Sequence, residues 1–220
     1  IGFVGQQTGI GYQLLRWGTL EGDEEAVQKG RGILDFWVNK TMTETGCPKV
    51  WYQMAADVFE PQPQWIRQIG DGLEAVIDAY VFLKKRGEEK PSWLDYCVKT
   101  ADWLVKVQNE DGSYYRSYNY DSTMCMDSKA NTPSVIRFLM QMYYVTKKEA
   151  YKSAAIKAGE WSYDNLYINM EYRGGTCDNQ DILDKEAGIY ALFAFIALHD
   201  LTGEERWIEA AKGAADYVET

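Results

Sequence analysis

Four stretches of the chain are apolar on almost every face: residues 8–20 (TGIGYQLLRWGTL), 70–85 (GDGLEAVIDAYVFLKK), 132–146 (TPSVIRFLMQMYYVT) and 186–203 (EAGIYALFAFIALHDLTG). Aligned on Gly9, Gly72, Ser134 and Gly188, they recur at steps of 63, 62 and 54 residues, a spacing that signals a repeated supersecondary unit. After each comes a short polar turn (LEGDEE, KRGEEKPS, VTKKEA, LTGEER) and then a segment with a single apolar stripe. In the last of these, Trp207, Ile208, Ala211, Ala214, Ala215 and Val218 share one face, opposite Glu209, Lys212 and Asp216; that is helical periodicity. The pattern predicts helices near 8–20, 23–40, 69–86, 92–109, 132–147, 148–166, 185–201 and 204–219. Thr132 before Pro133 suits a helix start, with a capping hydroxyl followed by a ring fitted to the first turn. Ile189, Leu192, Phe193 and Ile196 are expected to be fully buried, and Glu209 and Lys212 exposed.

Helices buried all round, alternating with helices buried on one face, call for two layers: an inner set with neighbours on every side and an outer set facing water. The inner-to-outer turns are short and the outer-to-inner connections, about 41–67, 110–131 and 169–183, are long. All long loops then emerge on one rim, at the N-termini of the inner helices, and loops of that length in a compact domain are usually functional. Loop 41–67 carries Trp51, Trp65 and Arg67 and leads to Asp71; loop 110–131 carries Tyr114, Tyr115, Arg116 and Asp127. Loop 169–183 carries Tyr172, Arg173, Asp178, Asn179 and Asp181. Aromatic faces among carboxylates, amides and arginines suit a sugar, which stacks its C–H face on rings and offers hydroxyls to polar groups. Asp71, beside Gly72, and Asp178, in GGTCDNQ, are the leading catalytic carboxylates, with Asp127 third; helix capping is the alternative role for acids at these positions.

Composition narrows the choice. The 33 acidic and 23 basic residues give a net charge of −10 without a run of Lys or Arg, so nucleic acid and anionic membranes are poor partners. No apolar stretch is long enough to span a membrane, and no targeting segment is visible. Cys47, Cys97, Cys125 and Cys177 are far apart and contain no CxxC pair. A site joining Cys47, Cys125 and Cys177 to an acid such as Glu60 is conceivable, but nothing in the spacing demands a metal, and no cofactor is called for. The only histidine, His199, falls near the C-terminal end of its inner helix, away from the rim.

Repeated helical hairpins with a rim of aromatics and carboxylates resemble the six-hairpin glycosidases. IGDGLEAV, around Asp71, is similar to the Asp-x-Gly helix start of the unsaturated glucuronyl and rhamnogalacturonyl hydrolases, whose further functional Asp precedes the next inner helix. Here that place reads MDSKANTPSV, with Asn131 close in and Asp127 further out. The resemblance implies an all-α (α/α) toroid with four hairpins present. Six such hairpins need more chain than these 220 residues, so residues 1–220 are expected to be one catalytic domain continuing beyond one or both ends, with further hairpins as partners. The implied function is glycoside hydrolysis of an oligo- or polysaccharide by carboxylate general acid/base catalysis. The alternatives are a lyase acting on a uronate-containing glycan, for which SYYRSYN supplies Tyr, Arg and Asn, and a non-catalytic glycan-binding repeat module. A sugar epimerase relying on histidines fits poorly with His199 at the far rim.

Overall fold

A computed structural model describes residues 2–176 and 179–220. Among them are eight α-helices: α1 (Val4–Glu21), α2 (Glu24–Lys40), α3 (Ile66–Lys84), α4 (Pro91–Val107), α5 (Ile136–Thr146), α6 (Glu149–Ser162), α7 (Lys185–Thr202) and α8 (Glu205–Glu219). The odd-numbered helices form the inner layer, with α1 against α3, α3 against α5 and α5 against α7. The even-numbered helices pack outside as their hairpin partners. The predicted helices are all present, with ends displaced by a few residues.

Local chemistry explains the ends. Asp23 caps α2 by accepting from the Ala26 amide at 3.0 Å, and Asp184 caps α7 by accepting from the Ala187 amide at 2.7 Å. The carboxylate that gathers the polar loop before α7 is therefore a cap, satisfying an amide that the first helical turn leaves unpaired. Thr132 departs from expectation. Residues Thr132–Val135 form a 3₁₀ turn leading into α5. The Thr132 hydroxyl accepts from the Tyr114 amide at 3.0 Å and donates to the Lys129 carbonyl at 2.7 Å, so it fastens the preceding loop instead of capping. The last turn of the sixth predicted helix is likewise a π turn, Tyr163–Tyr167.

Between the layers lies an aromatic core. Trp37, Trp93, Trp103 and Trp207 are fully buried on the outer helices. The Trp93 indole donates to Asp35 at 2.7 Å and Trp207 stacks on Phe195 at 6.0 Å. The Trp37 ring fills the space over Gly72, where a β-carbon would strike it. A β-carbon at Gly70 would run into the Ser134 carbonyl, so α3 approaches the start of α5 as closely as backbone permits.

The long loops meet on one rim, as their common origin predicts. Strands β1 (Gly2–Phe3), β2 (Trp51–Gln53) and β3 (Val58–Phe59) form one antiparallel sheet. Strands β4 (Gln64–Trp65), β5 (Ser117–Tyr118) and β6 (Met124–Met126) form another, pairing Gln64 with Tyr118 and Trp65 with Ser117. The second sheet thus splices the first long loop to the second.

The expected burial of α7 is corrected. Ile189, Phe193 and Ile196 are 37%, 47% and 38% exposed, and Leu192 is half-buried. Helices α5, α6 and α8 pack against α7 without covering these side chains. At the other end of the arc, Ile10, Trp17 and Leu20 of α1 are exposed in the same way. Glu209 and Lys212 are exposed as expected.

Candidate active site

On α3, Asp71, Glu74 and Asp78 are spaced three and four residues apart and so share one face of a helix whose other positions from 69 to 83 are apolar. Glu74 meets Arg137 of α5 at 2.8 Å, and Asp78 accepts from Gln141 of α5 at 2.5 Å. Asp71 accepts from the Tyr190 hydroxyl of α7, which lies 2.9 Å from each carboxylate oxygen. Arg67, at the start of α3, donates Nε–H to the same hydroxyl oxygen at 2.9 Å and lies over the Tyr190 ring, 5.2 Å from its centroid. Its other nitrogens pair with Glu186 at 2.7 Å and with the Gly175 carbonyl.

These helices enclose a cleft of about 300 Å³. One wall is polar: Arg67, Asp71, Glu74 and Arg137. The other is apolar, made by Pro133, Ile189 and Phe193, with Tyr190 and Glu186 completing the lining. The Arg137 guanidinium lies over the Phe193 ring at 5.4 Å from its centroid. Phe193, 47% exposed, keeps much of its ring open at the cleft.

Burial governs the electrostatics. It raises the Asp71 carboxyl above its ordinary value, against the Tyr190 hydrogen bond and the Arg67 charge, which favour the ionised form. It pushes Glu74 from 4.5 up to about 7; Arg137 opposes the shift, and the neighbouring charges of Asp71 and Asp78 add to it. Asp78 is also raised, chiefly by burial and against Arg137. The Tyr190 hydroxyl is pushed upward by burial and then by the Asp71 charge, so it keeps its proton.

The Glu74 shift has a consequence for stability. A carboxyl that binds its proton more tightly folded than unfolded makes folding less favourable as pH rises from about 4.5 to about 7. Glu74→Gln should remove that slope, leaving the variant more stable than the parent at pH 8 by on the order of 2 kcal/mol, and close to it at pH 4. Urea unfolding of both proteins at the two pH values measures it; parallel pH dependences would contradict the assignment.

No family model and no curated protein matches the chain. Solved structures do. Cellobiose 2-epimerase from Spirochaeta thermophila superposes with a TM-score of 0.77 at 13% identity, over 99% of this chain and 58% of that one. A glycoside hydrolase family 76 α-mannanase from Bacteroides thetaiotaomicron gives 0.69 at 16% identity, over 97% and 56%. A possible member of glycoside hydrolase family 105 from Salmonella enterica gives 0.71 at 14% identity, over 86% and 53%. The fold is that of the six-hairpin (α/α)6 toroids. The chain spans a little over half the length of these structures and forms a four-hairpin arc of the toroid.

Of the residues picked from sequence, the arc brings Asp71 and Arg67 into its cleft. Asp71 lies well inside α3, whose N-cap residue is Trp65, so a capping role for it is excluded. Asp178, with Cys177, lies outside the described residues. Asp127 is exposed just beyond β6 and does not line the cleft. Trp51 and Trp65 pack on each other on the rim at 5.8 Å, away from the cleft lining. Tyr115 is half-buried against Tyr118 at 6.2 Å.

Tyr114, Tyr172 and Arg116, expected to touch substrate, are interior, at 0%, 0% and 1% exposure. The two tyrosines form the cores of their own loops. The Arg116 guanidinium donates to Asn131 at 3.0 Å, to the Gly174 carbonyl at 2.7 Å and to the Thr176 carbonyl at 2.5 Å, clasping the second long loop to the third. Arg173 donates to the Asp181 carbonyl at 2.9 Å, Asn179 accepts from the Asp181 amide at 2.9 Å, and Asp181 is exposed; these three shape their own turn. Cys47 is buried and Cys125 exposed, and among the described residues no group of His, Cys, Asp and Glu is arranged to hold a metal. His199 sits in the last turn of α7, 3.9 Å from Glu205, away from the cleft.

Glu74, Arg137, Glu186, Tyr190 and Phe193 line the cleft without having been among the residues expected there from sequence. A signal for Glu74 was present, because acids at 71, 74 and 78 mark one polar face on a helix that is apolar elsewhere from 69 to 83. The partners across the cleft carry no comparable pattern.

Proposed function

We propose that this arc supplies the carboxylate side of a carbohydrate active site, in a glycoside hydrolase acting on an oligo- or polysaccharide. The observation that carries the reading is one cleft holding two carboxyl groups of unlike environment opposite an apolar ledge. Glycoside hydrolysis needs one carboxyl that keeps its proton for the leaving oxygen and a second that acts ionised. Glu74, pushed up to about 7, is suited to the acid role near neutrality. Asp71, accepting from Tyr190 and facing Arg67, is suited to act as the carboxylate. Phe193, Ile189 and Pro133 give the C–H face of a sugar ring a surface to stack on. Asp178 remains the sequence's further candidate for the chemistry.

That matched structures bear the names of an α-mannanase and a cellobiose 2-epimerase supports a sugar substrate without choosing the reaction. The lyase alternative drawn from SYYRSYN is disfavoured, since Tyr114 is interior with a hydroxyl pushed upward by burial and Arg116 is committed to the carbonyls of Gly174 and Thr176. Apolar side chains exposed outside the cleft, Ile196 on α7 and Ile10, Trp17 and Leu20 on α1, support continuation of the domain into further hairpins. A screen of neutral and uronate-containing oligosaccharides tests the function. New reducing ends without unsaturated uronate are expected; unsaturated products would establish a lyase. Glycan binding without turnover, unchanged by Asp71→Asn, would establish a binding module.

A further inference from the structure

Tyr190 occupies the centre of a continuous polar chain that crosses from the third long loop to the cleft. The Gly175 carbonyl and Glu186 hold the Arg67 guanidinium. Arg67 Nε–H is donated to the Tyr190 oxygen, and the single Tyr190 proton is shared between the two oxygens of Asp71. The Arg67 guanidinium also lies over the face of the Tyr190 ring. The ring is thus fixed from its face and its oxygen, leaving the hydroxyl proton one direction to point. A phenol held this way restricts the carboxylate it meets to a narrow range of rotamers, because turning Asp71 would break a charge-assisted hydrogen bond in a partly dry site.

We infer that Tyr190 is the positioning residue for Asp71: clamped by Arg67, it orients the carboxylate toward the cleft. This rests on the reading of Asp71 as a reacting carboxylate. Tyr190 acts through Asp71 and touches no reacting atom itself. Asp71 is faced by Arg67 and Glu74 from its own helix, by Arg137 from α5, and by Glu186 and Tyr190 from α7. Tyr190→Phe removes one hydroxyl and leaves all the other charged groups in place. Loss of a hydrogen bond to the charged form disfavours that form, so the Asp71 midpoint must rise.

The test is Tyr190→Phe compared with the parent chain, using a carbon-detected NMR titration of the Asp71 carboxyl and a pH profile of kcat on whichever oligosaccharide is turned over. The expected result is an upward move of the Asp71 midpoint and of the acid limb of kcat, with kcat roughly tenfold lower and KM near the parent value. In the Asp71→Asn background the same substitution should add little, because the two residues act as a unit. An unmoved Asp71 midpoint, or parental kcat with an unmoved acid limb, would overturn the inference, as would equal and additive losses in both backgrounds. The NMR reading needs no turnover. A shifted midpoint alongside full activity of Asp71→Asn would therefore remove the catalytic reading of Asp71 while leaving its pairing with Tyr190 intact. Should Tyr190→Phe fail to fold, the parent protein still reports. Its Tyr190 hydroxyl proton should appear as a slowly exchanging resonance lost when Asp71 is protonated, and absence of that resonance would overturn the pairing.

Discussion

Asp71→Asn should fold normally, bind oligosaccharide nearly as well as the parent and lose at least about 100-fold in kcat. The amide keeps the size of the carboxyl and an oxygen to accept from Tyr190, so packing within α3 is undisturbed. What it removes is the negative charge. Burial outweighs the help that Tyr190 and Arg67 give that charge, so at neutral pH the neutral amide should leave thermal stability equal or slightly higher. Lower activity with unchanged or raised stability separates a chemical role from a structural one, since loss of a structural carboxylate lowers both. Full activity of the folded variant would remove Asp71 from the mechanism.

The second large effect is expected at a residue away from the cleft lining. Arg116→Leu leaves the Asn131 side chain and the Gly174 and Thr176 carbonyls without their buried charged donor. The Gly174 carbonyl keeps the Asn131 Nδ2–H at 3.0 Å, but the Asn131 oxygen and the Thr176 carbonyl lose this donor, at a cost of about 2–4 kcal/mol. For a chain of this length that lowers the midpoint of thermal unfolding by roughly 5–15 °C. The third loop should loosen with it, and because the Gly175 carbonyl accepts from Arg67, kcat should fall as well. Arg173→Ala, at a half-buried residue of the same loop, should change stability by no more than about 0.5 kcal/mol. A calorimetric scan of the two variants decides it; equal and small shifts would show that Arg116 is not the clasp.

Much of the architecture is legible in the sequence because it is written locally. Apolar periodicity depends only on neighbours within a turn or two, so the helices and their alternation could be read directly, and loop lengths alone placed the long connections on one rim. The burial of α7 was misjudged because Phe193 and Ile196 are as apolar as core residues. Nothing local says which side of a helix has a neighbour. The site was misplaced for a related reason. Rings and arginines on polar loops suggested a ligand, but a long loop must also build its own interior: Tyr114 and Tyr172 fill that interior, and Arg116 satisfies its carbonyls. The better guide was an acid where none should be. Asp71, Glu74 and Asp78 sit in a helix whose other positions from 69 to 83 are apolar, and a buried carboxyl persists there only with partners such as Tyr190, Arg137 and Gln141. Those partners come from distant parts of the chain, and only the packing of α3, α5 and α7 reveals them.

The central claim is that a sugar ring sits between the acids of α3 and the apolar ledge of α7. Amide and methyl NMR of Asp71→Asn, titrated with an oligosaccharide selected for binding to the parent chain, tests it most directly. The predicted result is a single cluster of perturbed resonances at Arg67, Glu74, Arg137, Ile189, Tyr190 and Phe193, with Trp51, Trp65 and Tyr115 unmoved. Perturbations confined to those rim aromatics, with the cleft silent, would contradict it.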